Sequence, residues 1–319
     1  MPNSPQIERV KPPALRPGDG VGIVAPASHF PRDEFDRGCE ALRSMGYNPV
    51  YEASIFDRDL YFAGSLERRV SELETMFLRE DVRAVVCARG GYGSNYLLPA
   101  LDAGRIRSRP KAFIGYSDAT SLATYFCDSL NFVAFHGPMV AKDFARPDGV
   151  DAGSWQAALG GRKNWRLDFD LASGVQPLEP GSAEGILYGG CLSMLVASLG
   201  TPYEIRTAGT ILLIEDVATK PYQVDRMLMQ LKLAGKLDEV RGLVFGEMPD
   251  CQAPPPGQGY TLEEVVRRVV GNLGVPVAYG LRSGHVSRRN ITLPLGVSAR
   301  LNVGVNGVSL EILEPATVL

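Results

Sequence analysis

Ser117 stands where a short apolar run, Ala112-Phe113-Ile114-Gly115-Tyr116, gives way to a helical pattern of Leu122, Tyr125, Phe126 and Leu130. The run reads as a buried strand and the pattern as a helix. A serine held between them has its hydroxyl exposed, with the free N–H groups of the helix start beside it. Gly115 lets the backbone bend where a Cβ would clash. This is the nucleophile-elbow arrangement, with Ala119 in place of the last glycine of G-x-S-x-G. The competing reading makes Ser117 or Asp118 a simple helix cap.

A serine nucleophile needs a base, a group to orient the base, and donors for the oxyanion. The N–H of Asp118 follows the serine directly, and the turn Arg89-Gly90-Gly91 offers a second donor. The same turn has a rival reading as a phosphate loop, but it matches neither G-x-G-x-x-G nor a Walker A pattern. The base at neutral pH is a histidine, and all three histidines, His29, His136 and His285, are eligible. Glu215 and Asp216 both end an apolar run, Ile211-Leu212-Leu213-Ile214, and either would orient it. Either would equally serve as an ion-pair partner of Lys220 or Arg226. Residue types and spacing leave this shortlist open.

The elements around these residues alternate. Val21 to Ala25, Ala84 to Cys87, Ala112 to Gly115 and Phe132 to Phe135 are continuous apolar runs, with a shorter strand near Val50. Helical patterns fall at Glu34 to Met45 and at Leu66, Val70, Leu73 and Phe77, and a short helix is expected through Leu97 and Leu98. Such alternation describes a doubly wound parallel sheet covered on both faces. Its post-strand loops gather on one edge, so His29, Arg89 to Gly91, Ser117 and His136 should line that edge. Residues 1–145 form this first domain. Residues 146–183, punctuated by Gly160-Gly161, Pro177 and Pro180, read as a connection with little regular structure. Residues 184–319 read as a mixed α/β domain. It has helices after Gly190, at Pro221 and at the capping box Thr261/Glu264, and short strands from Asn290 to Leu313. Asp250 to Gly259, with Pro254-Pro255-Pro256, reads as a surface loop.

With 319 residues there is room for about two domains, and 45% hydrophobic and 22% charged residues describe an ordinary globular chain. A net charge of −3 makes no case for a nucleic-acid or membrane partner. The cysteines, Cys39, Cys87, Cys127, Cys191 and Cys251, are dispersed, which argues against a zinc site or a disulfide framework. The polar, proline-rich stretch Met1 to Pro17 lacks the apolar core of a signal peptide. No run approaches the ~18 apolar residues of a membrane span. The expected compartment is the cytoplasm.

Gly115-Tyr116-Ser117-Asp118, Arg89-Gly90-Gly91-Tyr92-Gly93, Tyr188-Gly189-Gly190, Ile214-Glu215-Asp216 with Pro221-Tyr222 and Asp225-Arg226, and Gly284-His285 with Asn290 and Pro294-Leu295-Gly296 together carry a resemblance. In that order, from about Leu15 to Leu313, the chain resembles the LD-carboxypeptidase family, serine peptidases of the muramoyltetrapeptide carboxypeptidase type. The resemblance implies a flavodoxin-like N-terminal domain, a smaller mixed α/β C-terminal domain, a homodimer, and no metal or other cofactor. It implies a triad with Ser117 as nucleophile, His285 as base and Glu215 as the orienting carboxylate. The backbone N–H groups of Gly91 and Asp118 become the oxyanion hole. The implied substrate is a cytoplasmic muropeptide, a small peptide substrate cut between the L-centre of a diamino acid and the terminal D-alanine. Arg89 is a candidate for that substrate's carboxylate, on its charge. Thr219-Lys220 departs from the acidic residue expected before Pro221.

Two alternatives stand beside this. Members resembling microcin C immunity proteins hydrolyse a peptidyl or aminoacyl nucleotide, and Trp155 or Trp165 would then face the base. A non-catalytic peptide- or nucleotide-binding protein is the alternative of another class. It would not be labelled at Ser117 by a serine-directed acylating reagent.

Overall fold

The computed structural model describes residues 9–252 and 259–319. The triproline of the expected surface loop and the first eight residues of the polar N-terminal stretch lie outside the described residues.

The N-terminal half alternates strands and helices. The strands are β1 (Gly20–Val24), β2 (Asn48–Val50), β3 (Val82–Cys87), β4 (Ala112–Gly115) and β5 (Ala134–His136). The helices are α1 (Arg32–Ser44), α2 (Leu66–Leu78), α3 (Ala103–Arg107) and α4 (Thr120–Asp128). The strands pair in parallel in the order β2-β1-β3-β4-β5, which is the flavodoxin-like order. Every residue of β1 and β4 is buried, as a sheet with helices on both faces demands. Phe77, Phe113 and Phe126 fill one face, and Phe35, Ile114 and Phe135 fill the other. Each such side chain contributes about 1.5–3 kcal/mol by leaving water. The helix expected through Leu97 and Leu98 is only a single 3₁₀ turn at Ser94–Tyr96. Helix α3 follows it, started by the Asp102 carboxylate, which accepts from the Gly104 and Arg105 N–H groups.

The rest of the chain supplies α5 (Ala152–Leu159), β6 (Trp165–Asp170), β7 (Gln176–Glu179), β8 (Gly181–Cys191) and α6 (Leu192–Ala197). Next come β9 (Thr210–Glu215), α7 (Pro221–Leu233), β10 (Gly242–Gly246), α8 (Leu262–Val270) and β11 (Val277–Leu281). The strands β12 (Leu293–Leu295), β13 (Val297–Gly304) and β14 (Gly307–Ile312) complete it. An eight-stranded sheet runs β6-β14-β13-β8-β9-β10-β11-β7. Its β8-β9-β10-β11 stretch is parallel and its flanks are antiparallel. The capping box at Thr261 and Glu264 starts α8 as expected. No described helix is long and apolar enough to cross a membrane.

Two features differ from the reading of the sequence. Residues 146–183 are not a loosely structured connection, because they hold α5, β6, β7 and the start of β8. Strand β6 reads WRLDFD and alternates buried and exposed, so it has no continuous apolar run to betray it. Strand β12 leaves its own half of the chain and pairs antiparallel with β5, Leu293 opposite His136. The first sheet is therefore finished by a C-terminal segment, which pins the two halves together beside the strand ends.

Both tryptophans are core residues. Trp155 is fully buried, donates its indole N–H to the Tyr47 hydroxyl at 3.2 Å and lies edge-on to Phe144. Trp165 is buried on β6. Neither presents a face to a nucleotide base, contrary to that expectation. All five cysteines are free and buried, small apolar members of the core.

Candidate active site

The turn after β4 holds Ser117 at φ 62°, in the left-handed region. That costs a residue with a Cβ about 1–2 kcal/mol, and such strain collects at functional positions. Helix α4 starts only at Thr120, with Ala119 at its N-cap and no side chain capping it. The capping reading of Ser117 and Asp118 therefore fails. The Asp118 carboxylate instead accepts the Gly93 and Ser94 N–H groups at 3.2 and 2.8 Å. The Ser94 hydroxyl donates back to the Asp118 carbonyl at 2.6 Å. Burial raises the Asp118 pKa, and the hydrogen bonds from Ser94 and Gly93 pull against it.

This lattice fastens the glycine turn after β3 to the serine turn after β4. Gly90 packs directly on the serine: a Cβ there would lie 2.9 Å from Ser117 Oγ and 3.5 Å from the Asp118 nitrogen. Gly91 follows on the exposed side, and the Ser28 hydroxyl accepts the Tyr92 N–H at 3.1 Å. Arg89 is exposed at the rim, where it reaches the His29 carbonyl at 3.4 Å.

Glu215 ends β9 and is fully buried. One of its oxygens, Oε2, lies 2.7 Å from His285 Nδ1 and accepts the His285 backbone N–H at 2.8 Å. A carboxylate on Nδ1 holds the proton there and leaves Nε2 as the basic nitrogen. The turn that delivers His285 must pass very close. Gly284 has φ 97°, and a Cβ on it would lie 2.5 Å from Glu215 Cδ. Buried Asn290 braces the turn by accepting the Gly284 N–H and donating to the Gly284 carbonyl, both at 3.0 Å. Burial pushes the His285 pKa down, but the Glu215 charge and hydrogen bond outweigh it and leave it raised. Burial likewise pushes Glu215 up, and His285 more than reverses this, leaving it lowered. Both shifts favour the imidazolium–carboxylate pair.

Asp216, the first residue past β9, turns to a different set of partners. It accepts from the Ser193 N–H and hydroxyl at 3.0 and 2.6 Å and from the Thr219 hydroxyl at 3.2 Å. Neither Glu215 nor Asp216 pairs with Lys220 or Arg226 among the described residues.

The other histidines separate by environment. His136 ends β5 opposite Gly115 of β4 and is buried, which pushes its pKa down to about 4. It is a neutral core residue at the floor of the site. His29 stays at the rim. Tyr116, a residue without acid–base or nucleophilic use at neutral pH, joins the pieces. Its ring lies edge-on to His285 with centroids 5.0 Å apart and 5.9 Å from that of His136. It also immediately precedes Ser117. Among the described residues the Ser117 hydroxyl makes no hydrogen bond to His285. The arrangement thus offers a strained, half-buried serine, a polarised imidazole near it, and backbone amides on the serine's flank.

The chain matches the family models of the LD-carboxypeptidase N-terminal domain over residues 21–137 and the LD-carboxypeptidase C-terminal domain over 184–301. It is 35% identical over 306 residues to a probable murein peptide carboxypeptidase of Bacillus subtilis, covering 94% of each chain. It is 28% identical to the microcin C7 self-immunity protein MccF of Escherichia coli, covering 93% of this chain and 94% of that one. The crystal structure of muramoyltetrapeptide carboxypeptidase from Oxalobacter formigenes superposes with a TM-score of 0.82 at 30% identity, over 92% of this chain and 98% of that one. With two domain models matched in order and a relative this similar over nearly its whole length, the chain belongs to the LD-carboxypeptidase family.

Proposed function

We propose that this chain is a serine LD-carboxypeptidase that removes the terminal D-alanine from a muropeptide, as a cytoplasmic homodimer. The observation that carries the reading is the buried Glu215–His285 pair, set beside Tyr116 and the strained Ser117 turn. His285 Nε2 takes the Ser117 proton as Oγ attacks the peptide carbonyl. The backbone N–H groups of Gly91 and Asp118 receive the oxyanion, and the exposed Arg89 receives the substrate's carboxylate. The imidazolium then protonates the leaving amine. Water, deprotonated by His285, breaks the Ser117 ester and restores the hydroxyl. The Ser117–His285 hydrogen bond forms as substrate fills the site, since such bonds tighten in the Michaelis complex.

The test is incubation with a disaccharide tetrapeptide and mass detection of released D-alanine. Ser117→Ala and His285→Ala should each abolish nearly all turnover, and the double variant should be little worse than either. A folded His285→Ala enzyme with near-normal turnover would return His29 and His136 to consideration.

The likeness to MccF supports a second reading, hydrolysis of an aminoacyl nucleotide. Burial of Trp155 and Trp165 leaves it without the stacking residues expected of it. Release of the free amino acid and sulfamoyl adenosine from an aminoacyl sulfamoyl adenosine, with no D-alanine released from the tetrapeptide, would favour it.

A further inference from the structure

An exposed aromatic cluster borders the glycine turn and has no part in the chemistry above. Tyr61, Tyr92 and Tyr96 are 51%, 42% and 46% exposed and surround Phe62. Tyr61 lies 4.4 Å from Phe62 and 5.8 Å from Tyr92, and Phe62 lies 5.4 Å from Tyr96, between ring centroids. The cluster is fixed from beneath. Buried Arg69 places its guanidinium 4.4 Å from the centre of the Phe62 ring and donates to the Pro26 and Gly93 carbonyls, both at 2.9 Å. The rings are thus tied to the same turn that packs on Ser117.

The tip of the cluster is shaped against its own residue types. Asp59 and Phe62 exchange both backbone hydrogen bonds, at 3.1 and 2.8 Å, closing a tight turn over Leu60 and Tyr61. Leu60 sits there at φ 53° and is 80% exposed. Turn tips favour Gly, Asn or Asp, which accept that conformation and like water. A leucine and a tyrosine gain nothing there from this chain's own core.

We propose that this cluster is a platform for the sugar of a glycosylated peptide substrate, resting on the peptidase reading above. Tyr92 directly follows Gly91, so a ligand on the rings continues from the acyl group held at Ser117. An extended peptide reaches about 10 Å over three residues, enough to carry a group at its far end away from the serine and onto neighbouring surface. A pyranose presents C–H groups to an aromatic face and hydroxyls to its surroundings. The rings supply the faces, while the phenol hydroxyls and the Asp57 and Asp59 carboxylates of the same loop supply polar partners. Within residues 57–62 the two carboxylates outweigh the one cation, Arg58, which disfavours a phosphate on the rings, while Arg89 at the rim is given to the substrate's own carboxylate and Arg69 is buried beneath Phe62. The three phenols suit a half-wet ligand better than the dry core of a subunit interface.

The experiment compares kcat/KM for D-alanine release from a disaccharide tetrapeptide and from the same tetrapeptide without sugar. The wild type should favour the glycosylated substrate about three- to tenfold. Tyr61→Ala should bring the ratio near one, and Tyr61→Phe should preserve the preference because the ring face carries it. Thermal melts check that both variants fold. A ratio near one in the wild type, or unchanged in Tyr61→Ala, overturns the platform and leaves the peptidase reading intact. Release from neither substrate overturns the peptidase reading and the platform with it. A Tyr61→Ala chain that loses a dimer in sedimentation while keeping its ratio makes the cluster a subunit contact, which also overturns the proposal.

Discussion

Glu215 Oε2 meets both Nδ1 and the backbone N–H of His285, at 2.7 and 2.8 Å, across 70 residues of chain. One oxygen therefore fixes the imidazole ring and the peptide that carries it. The carboxylate is fully buried, where charge interactions are much less screened than at the surface. Rotating His285 away would leave that charge unpaired, at a cost of several kcal/mol.

The first prediction is a pH profile. The base must be neutral, and Glu215 holds its pKa above the ordinary 6.5. The kcat/KM for D-alanine release should therefore rise with pH through an apparent pKa above that value. In Glu215→Gln burial acts unopposed by that charge, so the acid limb should move to lower pH while the plateau falls by about 10²–10⁴-fold. A limb that stays in place or moves upward would contradict the pairing.

The same pair predicts a stability window. Glu215 is depressed, so its contribution is present above an unfolded pKa of about 4.3 and is lost as pH falls through the folded value. His285 is raised, so its contribution is present below about 6.5 and is lost as pH rises through the folded value. Thermal melts should show the largest difference between wild type and Glu215→Gln between about pH 4.3 and 6.5. A difference that grows steadily toward pH 9 would count against the assignment.

Ser117 should trade stability for reactivity. Its φ of 62° suits glycine, so Ser117→Gly should be more stable than wild type by about 0.5–1 kcal/mol. Turnover in it should fall at least about 10³-fold. Denaturant melts beside D-alanine assays check both halves. A less stable Ser117→Gly would mean that the turn is not strained.

Gly90→Ala tests the close approach at the nucleophile. Its new Cβ would lie 2.8 Å from Ser117 Cβ and 2.9 Å from Oγ, so the serine must shift. A displacement of that order should reduce kcat/KM about 10–100-fold. Labelling of Ser117 by an acylating reagent should slow in step. Unchanged labelling would show that the serine does not depend on this contact.

Asn290→Ala should loosen the base without touching it. Both Gly284 backbone groups lose their partner, which should destabilise the fold by about 2–4 kcal/mol. The His285 imidazole resonances should broaden in NMR spectra, and kcat should fall. A sharp, unshifted imidazole with normal kcat would limit Asn290 to a role in folding.

Local pattern alone determined the five parallel strands of the first sheet and the capped start of α8, and it left the Ser117 turn open between an elbow and a helix cap. Periodicity, turn chemistry and caps act within a few residues, so they can be read directly along the chain. The same locality hid what is decided at a distance. Strand β6 alternates with polar residues and sits among Gly and Pro, so its place in the second sheet depends on the partner β14. Glu215 and Asp216 are neighbours with the same chemistry, and only the end of β9 between them sends one to His285 and the other to Ser193. The histidines were equal in sequence until packing sealed His136 beneath Tyr116 and brought the Gly284-His285 turn onto Glu215. The family resemblance named that pair in advance, but its bond exists only where the end of β9 and the turn after β11, strands set apart by β10 in the second sheet, come together.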